Sequence, residues 1–291
     1  MKVPDLLTTC WTSAGDAVPL PGRDDSPIDL RTRIEIAGRT GFTGFGVVHN
    51  DLAVYLREHT LADLGRTFQE NGIRYIELEF LTDWWQPMDT AERAASDAVM
   101  EMLVAAAAAL GPHHVKVGPD IHGGAFDLEV WATEWYRISD AFHQVGSTIA
   151  LEFMPFSNVP SITTASELVR AAGHPAGGLM VDLWHIMRGP GTLDELAALP
   201  LEYITGVELD DGDAEQVGDG YSDTILRRKI PGQGVWDVPA FIQILEDKGW
   251  TGPWGIEIIS ETYRVRPIEE TLPEVYRNTL RQFELAESRI R

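Results

Sequence analysis

The 291-residue sequence holds one cysteine, Cys10, which excludes an internal disulfide and a cysteine-rich zinc site. Such sparing use of cysteine fits a reducing cytosol, so a cytoplasmic location is expected. Basic residues are scarce. Only 23 Lys and Arg stand against 45 Asp and Glu, leaving a formal charge of −22. That surplus repels phosphate backbones and anionic bilayers, so neither nucleic acid nor membrane is an expected partner. No apolar run approaches the roughly 18 residues of a membrane span. The opening Met-Lys-Val-Pro-Asp-Leu-Leu turns polar too soon for a secretory leader, and none is expected. Also missing are a flexible linker and a Gly-x-Gly-x-x-Gly turn opening a helix after a strand. Their absence points to one continuous domain over residues 1–291 and away from a doubly wound dinucleotide fold.

What is present is ordinary globular material, 44% apolar and 23% charged. Short β-rich apolar runs recur at 6–11, 44–48, 75–80, 114–117, 149–154, 179–182, 204–209 and 255–259. Between them lie amphipathic segments with readable starts. Ser26-Pro27 offers a cap with proline in the first turn. Asp89…Glu92, Thr164…Glu167 and Thr192…Glu195 have capping-box spacing. Gly72, Gly111, Gly146, Gly173 and Gly249 mark helix ends. Eight strand–helix units in this length predict a (β/α)8 TIM barrel, because parallel strands need helical crossovers.

In such a barrel, chemistry belongs at the carboxyl ends of the strands. Side chains alternate along a strand, so apolar residues facing the helices send their neighbours into the lumen. That parity turns Glu152 inward between Leu151 and Phe153, and Asp182 inward after Val181. It does the same for Glu208 with Asp210, and for Glu257 between two isoleucines. Several carboxylates at one mouth repel one another unless protons or a cation intervene, and a divalent cation is the economical answer. The ligand set is then Glu152, Asp182, Glu208 and Glu257, with Asp210 the alternative to Glu208. An all-oxygen set favours Mg²⁺ or Mn²⁺. His185 follows Asp182 by three residues and can face a substrate hydroxyl. Arg227 and Arg228 precede the turn Pro-Gly-Gln-Gly, where an arginine can meet a substrate oxygen or the acids. Lys116, between Val115 and Val117, points inward toward an anionic partner, either a substrate or one of the acids. Trp11, Trp84, Trp85, Phe156 and Trp184 crowd the expected mouth and suit a sugar ring. Trp131 and Trp135 are read as exposed, leaving a homo-oligomer or a partner subunit open.

Taken together, Leu-Glu152-Phe, Asp182-Leu-Trp-His185, Arg228 before Pro-Gly-Gln-Gly, and Gly-Ile-Glu257-Ile resemble the xylose isomerase-like TIM-barrel sugar (phosphate) isomerases and epimerases. The likeness is specific over residues 149–259 and generic before it, although His114-Val-Lys-Val-Gly118 is also similar. It implies a divalent metal held by Glu, Asp, His and Glu from strands five to eight. Glu152, Asp182 and Glu257 fall in three of those places, and His185 and Arg228 in the substrate-contacting ones. Strand seven departs from the pattern: Glu208-Leu-Asp-Asp211 stands where the family shows His-x-x-Asp. A further carboxylate on the ion would lower its Lewis acidity. The implied reaction is proton abstraction next to a carbonyl by Glu152 and Glu257, through a metal-stabilised enediolate, giving isomerisation or epimerisation. The same start permits elimination, as dehydration or cleavage of a 3-oxo-sugar or 3-oxo-glycoside. No lysine-bearing phosphate loop is evident, which favours an unphosphorylated sugar or glycoside. Metal-dependent nucleases share the superfamily but need a basic groove, against the charge of −22. A non-catalytic sugar-binding or complex-forming barrel is the remaining class.

Overall fold

A computed structural model describes residues 3–290; the other residues of the 1–291 span lie outside the described residues. Eight parallel strands close a barrel in chain order: β1 (Leu6–Thr8), β2 (Gly44–Val48), β3 (Tyr75–Leu81), β4 (His114–Val117), β5 (Ile149–Glu152), β6 (Gly177–Asp182), β7 (Ile204–Leu209) and β8 (Trp254–Ile256). β1 pairs with β8, which leaves no open edge. Helices cover the outside, and no described helix is long and apolar enough to cross a membrane. The expected (β/α)8 TIM barrel is the observed one.

Strand positions follow the apolar runs closely, and the bounds of β2, β4 and β7 are those read from the sequence. Differences concentrate at the carboxyl ends. The run 6–11 breaks after Thr8, because Cys10 begins a short helix, Cys10–Ser13. β8 stops at Ile256, although Glu257 N still donates to Leu209 O at 3.1 Å. Among the caps, the Thr192–Glu195 box forms as expected. Thr90 replaces Asp89 as a cap, and Ser161 caps the helix in which Thr164 is the third residue. Ser26-Pro27 starts no helix. Ser26 Oγ donates to the backbone of a loop over residues 14–29, and Asp29 caps the helix Leu30–Thr40 instead.

The two strand faces divide sharply. Phe45, Val47, Ile76, Leu78, Val115, Val117, Leu151, Val181, Val207 and Ile256 pack outward in the core. Branched apolar layers usually fill such a lumen. Here it carries Glu77, Glu79, His114, Lys116, Glu152, Asp182 and Glu208, all buried. Glycine makes the space. A Cβ on Gly46 would come within 2.9 Å of Glu77 Oε1, and one on Gly255 within 2.9 Å of Glu208 Cγ.

Asp211 secures the turn that follows β7. Its Oδ1 accepts from the amides of Gly212 and Trp236 at 2.8 and 3.1 Å, and its Oδ2 from Gly232 and Gly234 at 3.0 and 2.9 Å. Asp211 also bridges antiparallel to Lys229, the residue after Arg228. Asp211→Ala should therefore cost about 3 kcal/mol, the scale of losing hydrogen bonds to a charged acceptor and stranding buried donors. Denaturant unfolding measures it, and Asp211→Asn should fall between the two.

Candidate active site

Seven carboxylates meet at the carboxyl end of the barrel. Glu152 and Asp182 end β5 and β6, Glu208 lies in β7, and Asp210 and Glu257 follow β7 and β8 by one residue. β3 adds Glu77 and Glu79, which the sequence reading did not single out. Their signal was the same alternation, Ile76-Glu-Leu-Glu-Phe80. Direct register pairs Asp182 with Glu208 across β6 and β7, where two like charges oppose each other.

Two cations from the chain hold the cluster. Lys116 Nζ lies 2.6 Å from Glu208 Oε1, 3.0 Å from Glu257 Oε1 and 3.3 Å from Glu79 Oε2. Arg228, just past the helix Gly220–Arg227, donates Nη1 to Asp182 Oδ2 at 2.6 Å and to Asp210 Oδ2 at 2.7 Å. Its Nη2 sits 3.1 Å from Glu257 Oε2. Thr224 Oγ1 accepts from its Nε at 3.0 Å, and Trp184 lies under the guanidinium at 5.5 Å. His185 Nε2 is 3.1 Å from Glu152 Oε1 and 3.6 Å from Asp182 Oδ2.

Electrostatics follow from burial and this pairing. Burial pushes the carboxyls of Glu79 and Glu257 up to about 7, with Lys116 opposing the rise in both. Burial also raises Glu77, Glu208 and Asp210, the neighbouring Glu257 charge adding to Glu208 and Asp182 to Asp210. Two acids go the other way. At Glu152 burial is outweighed by Lys116 and His185, and at Asp182 by Arg228 and His185, so both stay below the usual carboxylate range. His114, 2.7 Å from Glu77 Oε2, is driven down to about 3 by burial and then by Lys116, and so remains neutral.

A divalent ion fits these residues. Oxygens of Glu152, Asp182, Glu208 and Glu257 lie within 4.8 Å of one another, as do ligand atoms of Glu152, Asp182 and His185. Despite the close ammonium, neither oxygen of buried Glu208 accepts an aligned hydrogen bond, and Asp210 Oδ1 is also unpartnered. Seven acids against two permanent cations leave room for further positive charge.

Above the cluster opens a cavity of about 400 Å³. Glu79, Glu152, His185, Arg228 and Glu257 reach it, while Asp182, Glu208 and Asp210 do not line it. Trp11 and Phe156 line it as expected, and so do His49 and Asn50, which the sequence reading did not raise. Lys116 and Trp184, expected to meet the substrate, do not line it: the first is enclosed by acids and the second is buried against Arg228. Trp84 is fully buried and donates Nε1 to Gly118 O at 2.9 Å. Trp85 stacks on Trp131 with ring centroids 4.7 Å apart. Trp131 and Trp135 are buried too, which removes them as an exposed interface. Trp131 packs on Trp84, Trp85 and Phe126, and Trp135 lies against Gly177 of β6, where an added Cβ would collide with its Nε1.

Comparison with known proteins agrees with the barrel fold. The chain is 25% identical over 226 residues to an inosose isomerase of Halalkalibacterium halodurans, covering 76% of this chain and 79% of that one. It is 25% identical over 271 residues to a 3-dehydroshikimate dehydratase of Pseudomonas putida, covering 86% of this chain but only 39% of that larger protein. Among solved structures, an IolI protein with a bound zinc atom superposes with a TM-score of 0.83 at 20% identity, over 97% of this chain and 99% of that one. A D-psicose 3-epimerase superposes with a TM-score of 0.68 at 18% identity, over 91% and 94%. Residues 34–283 match the family described as xylose isomerase-like TIM barrels, and the chain belongs to that family.

Proposed function

We propose that the protein is a divalent-metal-dependent sugar isomerase or epimerase that moves a proton next to a carbonyl. One observation carries the reading. Glu152 and Glu257 face the cavity beside Arg228 and His185, while Asp182 and Glu208 stand behind them within reach of the same ion. That division gives the acids two tasks. Glu152, Asp182, Glu208 and Glu257 would hold Mn²⁺ or Mg²⁺, the ions that suit an all-oxygen set. When bound, the ion supplies positive charge opposite the oxygen that becomes negative on proton loss.

The chain's own groups do the rest. Glu152, kept ionised by Lys116 and His185, takes the proton from the carbon beside the carbonyl. Glu257, bracketed by Lys116 and Arg228, returns a proton on the other face of the ring or to the neighbouring carbon. His185 faces a substrate hydroxyl from beside Glu152, and Arg228 fixes a substrate oxygen while anchored by Asp182 and Asp210. Lys116 touches no substrate and acts as a positioning residue for Glu208 and Glu257. An unphosphorylated sugar or glycoside is the substrate, and the cytoplasm is the compartment.

Elimination is the second reading, favoured by the likeness to the dehydratase over 86% of this chain. In that case the second proton goes to the oxygen of a β-substituent rather than to carbon, and that group departs as water or an alcohol while the C–C double bond forms. Water or an aglycone in the products separates the two readings.

Three outcomes are expected. Glu152→Gln should lower turnover by about 10²–10⁴-fold, the usual worth of a general base, and stop exchange of the substrate's acidic C–H with D₂O while the protein stays folded. Undiminished exchange would remove Glu152 from the base role. Stripping with EDTA should abolish activity and Mn²⁺ or Mg²⁺ restore it; full turnover by stripped protein overturns the metal requirement. Lys116→Met should destabilise metal-free protein by about 3–5 kcal/mol in denaturant unfolding, since it leaves buried acids uncompensated. An unchanged unfolding midpoint would show that protons alone neutralise the cluster.

A further inference from the structure

Above its charged floor the cavity is walled by hydrocarbon. Trp11, Leu20, Phe80, Ile121, Met154 and Phe156 all line it, and each is only half-buried. Val18, Ile225 and Ile259 form a small apolar cluster apart from the barrel core, with Trp11, Leu20 and Tyr221 packed on it. This cluster joins the loop of residues 14–29 to the helix Gly220–Arg227, and the Tyr221 hydroxyl donates to Pro19 O across the same gap. Polar lining comes from the charged floor and from Asp24, His49, Asn50, Thr82, Tyr221 and Thr224, with His49 Nδ1 accepting from Phe80 N at 3.3 Å.

A free sugar or cyclitol carries hydroxyls around its whole rim. Pressed into this space, those facing the apolar wall would lose water and gain no partner. One aromatic platform can accept the C–H face of a sugar ring, but six apolar side chains exceed what such a face covers. Left wet, that surface costs free energy, which a hydrophobic group on the ligand recovers.

We infer that the substrate is amphiphilic: an oxygenated ring set on Glu152, His185, Arg228 and Glu257, bearing an aryl or alkyl substituent that lies against the wall of Trp11, Leu20, Phe80, Ile121, Met154 and Phe156. The inference rests on the sugar-directed reading given above and adds an apolar aglycone to it. Nothing covalent is required of the wall. It selects by desolvation and holds the ring at the floor.

Matched probes test it. Methyl and phenyl 3-oxo-β-D-glucopyranoside, which carry the carbonyl that the proposed reaction needs, are titrated calorimetrically into full-length, Mn²⁺-loaded protein, into Leu20→Asn and into Ile121→Asn, with folding checked by circular dichroism. Phenyl should bind at least about tenfold tighter than methyl, from the added apolar area, and either variant should bring the pair within about twofold. Equal affinities in the unaltered protein overturn the inference and leave the sugar reading standing. Preference for phenyl that survives both substitutions puts the apolar group elsewhere and overturns the assigned wall. If folded, metal-loaded protein binds neither glycoside, the sugar reading fails and the inference fails with it.

Discussion

Charge confined at the carboxyl end of the barrel governs everything else in this molecule. Two like charges 4 Å apart repel by about 4 kcal/mol at an effective dielectric constant near 20, and seven buried acids contain several such pairs. Burial accordingly raises five of them, Glu77, Glu79, Glu208, Asp210 and Glu257, toward their protonated forms. Lys116 and Arg228 make the cluster tolerable by standing between carboxylates rather than beside them. Local structure then serves the two cations. Gly255 leaves room for Glu208, Asp211 moors the segment from which Arg228 enters, and Trp184 closes over the guanidinium.

Much of this could be read from alternation alone. The barrel and the inward acids of strands five to eight follow from which neighbours are apolar, a purely local signal. The same signal marks Glu77 and Glu79 in β3, but a reading confined to strand-end acids in the second half of the chain passes over them. Trp131 and Trp135 carried a signal as well. With Ile138 and Phe142 they share one helix face at spacings of three and four, the pattern of a buried stripe. Trp184 carried none, since it is buried by Arg228, 44 positions later in the chain. The loop of residues 14–29 has no periodicity. It is set by partners remote in sequence, such as Asp51, whose carboxylate accepts from Ser26 N and pairs with buried Arg33.

Strand seven gains meaning from strand four. The resemblance calls for histidine where Glu208 stands, an exchange that adds a negative charge deep in the lumen. Lys116 supplies a positive one 2.6 Å away. Read as a pair, the two residues conserve the local balance of a neutral ligand while changing its character. On the proposed reading, Glu208 would share its oxygens between the ammonium and an ion, and Lys116 would set how much of the acid is available. An isolated Glu208 would draw a cation more strongly; an isolated Lys116 would have no reason to be buried.

Floor and wall depend on each other. Charged groups act weakly in water and strongly where water is displaced. Glu79, Glu152, Glu257, Arg228 and His185 lie at the base of a cavity whose sides are in large part hydrocarbon, so a ligand that covers those sides also dries the base. A wholly polar ligand would leave solvent along the walls and the floor screened. An amphiphilic one seals the walls with its apolar part and meets the carboxylates with its oxygens in a medium of lower dielectric constant. In the proposed reaction, hydrocarbon around the mouth would thus act on the same proton transfer as the acids beneath it, by setting the strength at which they act.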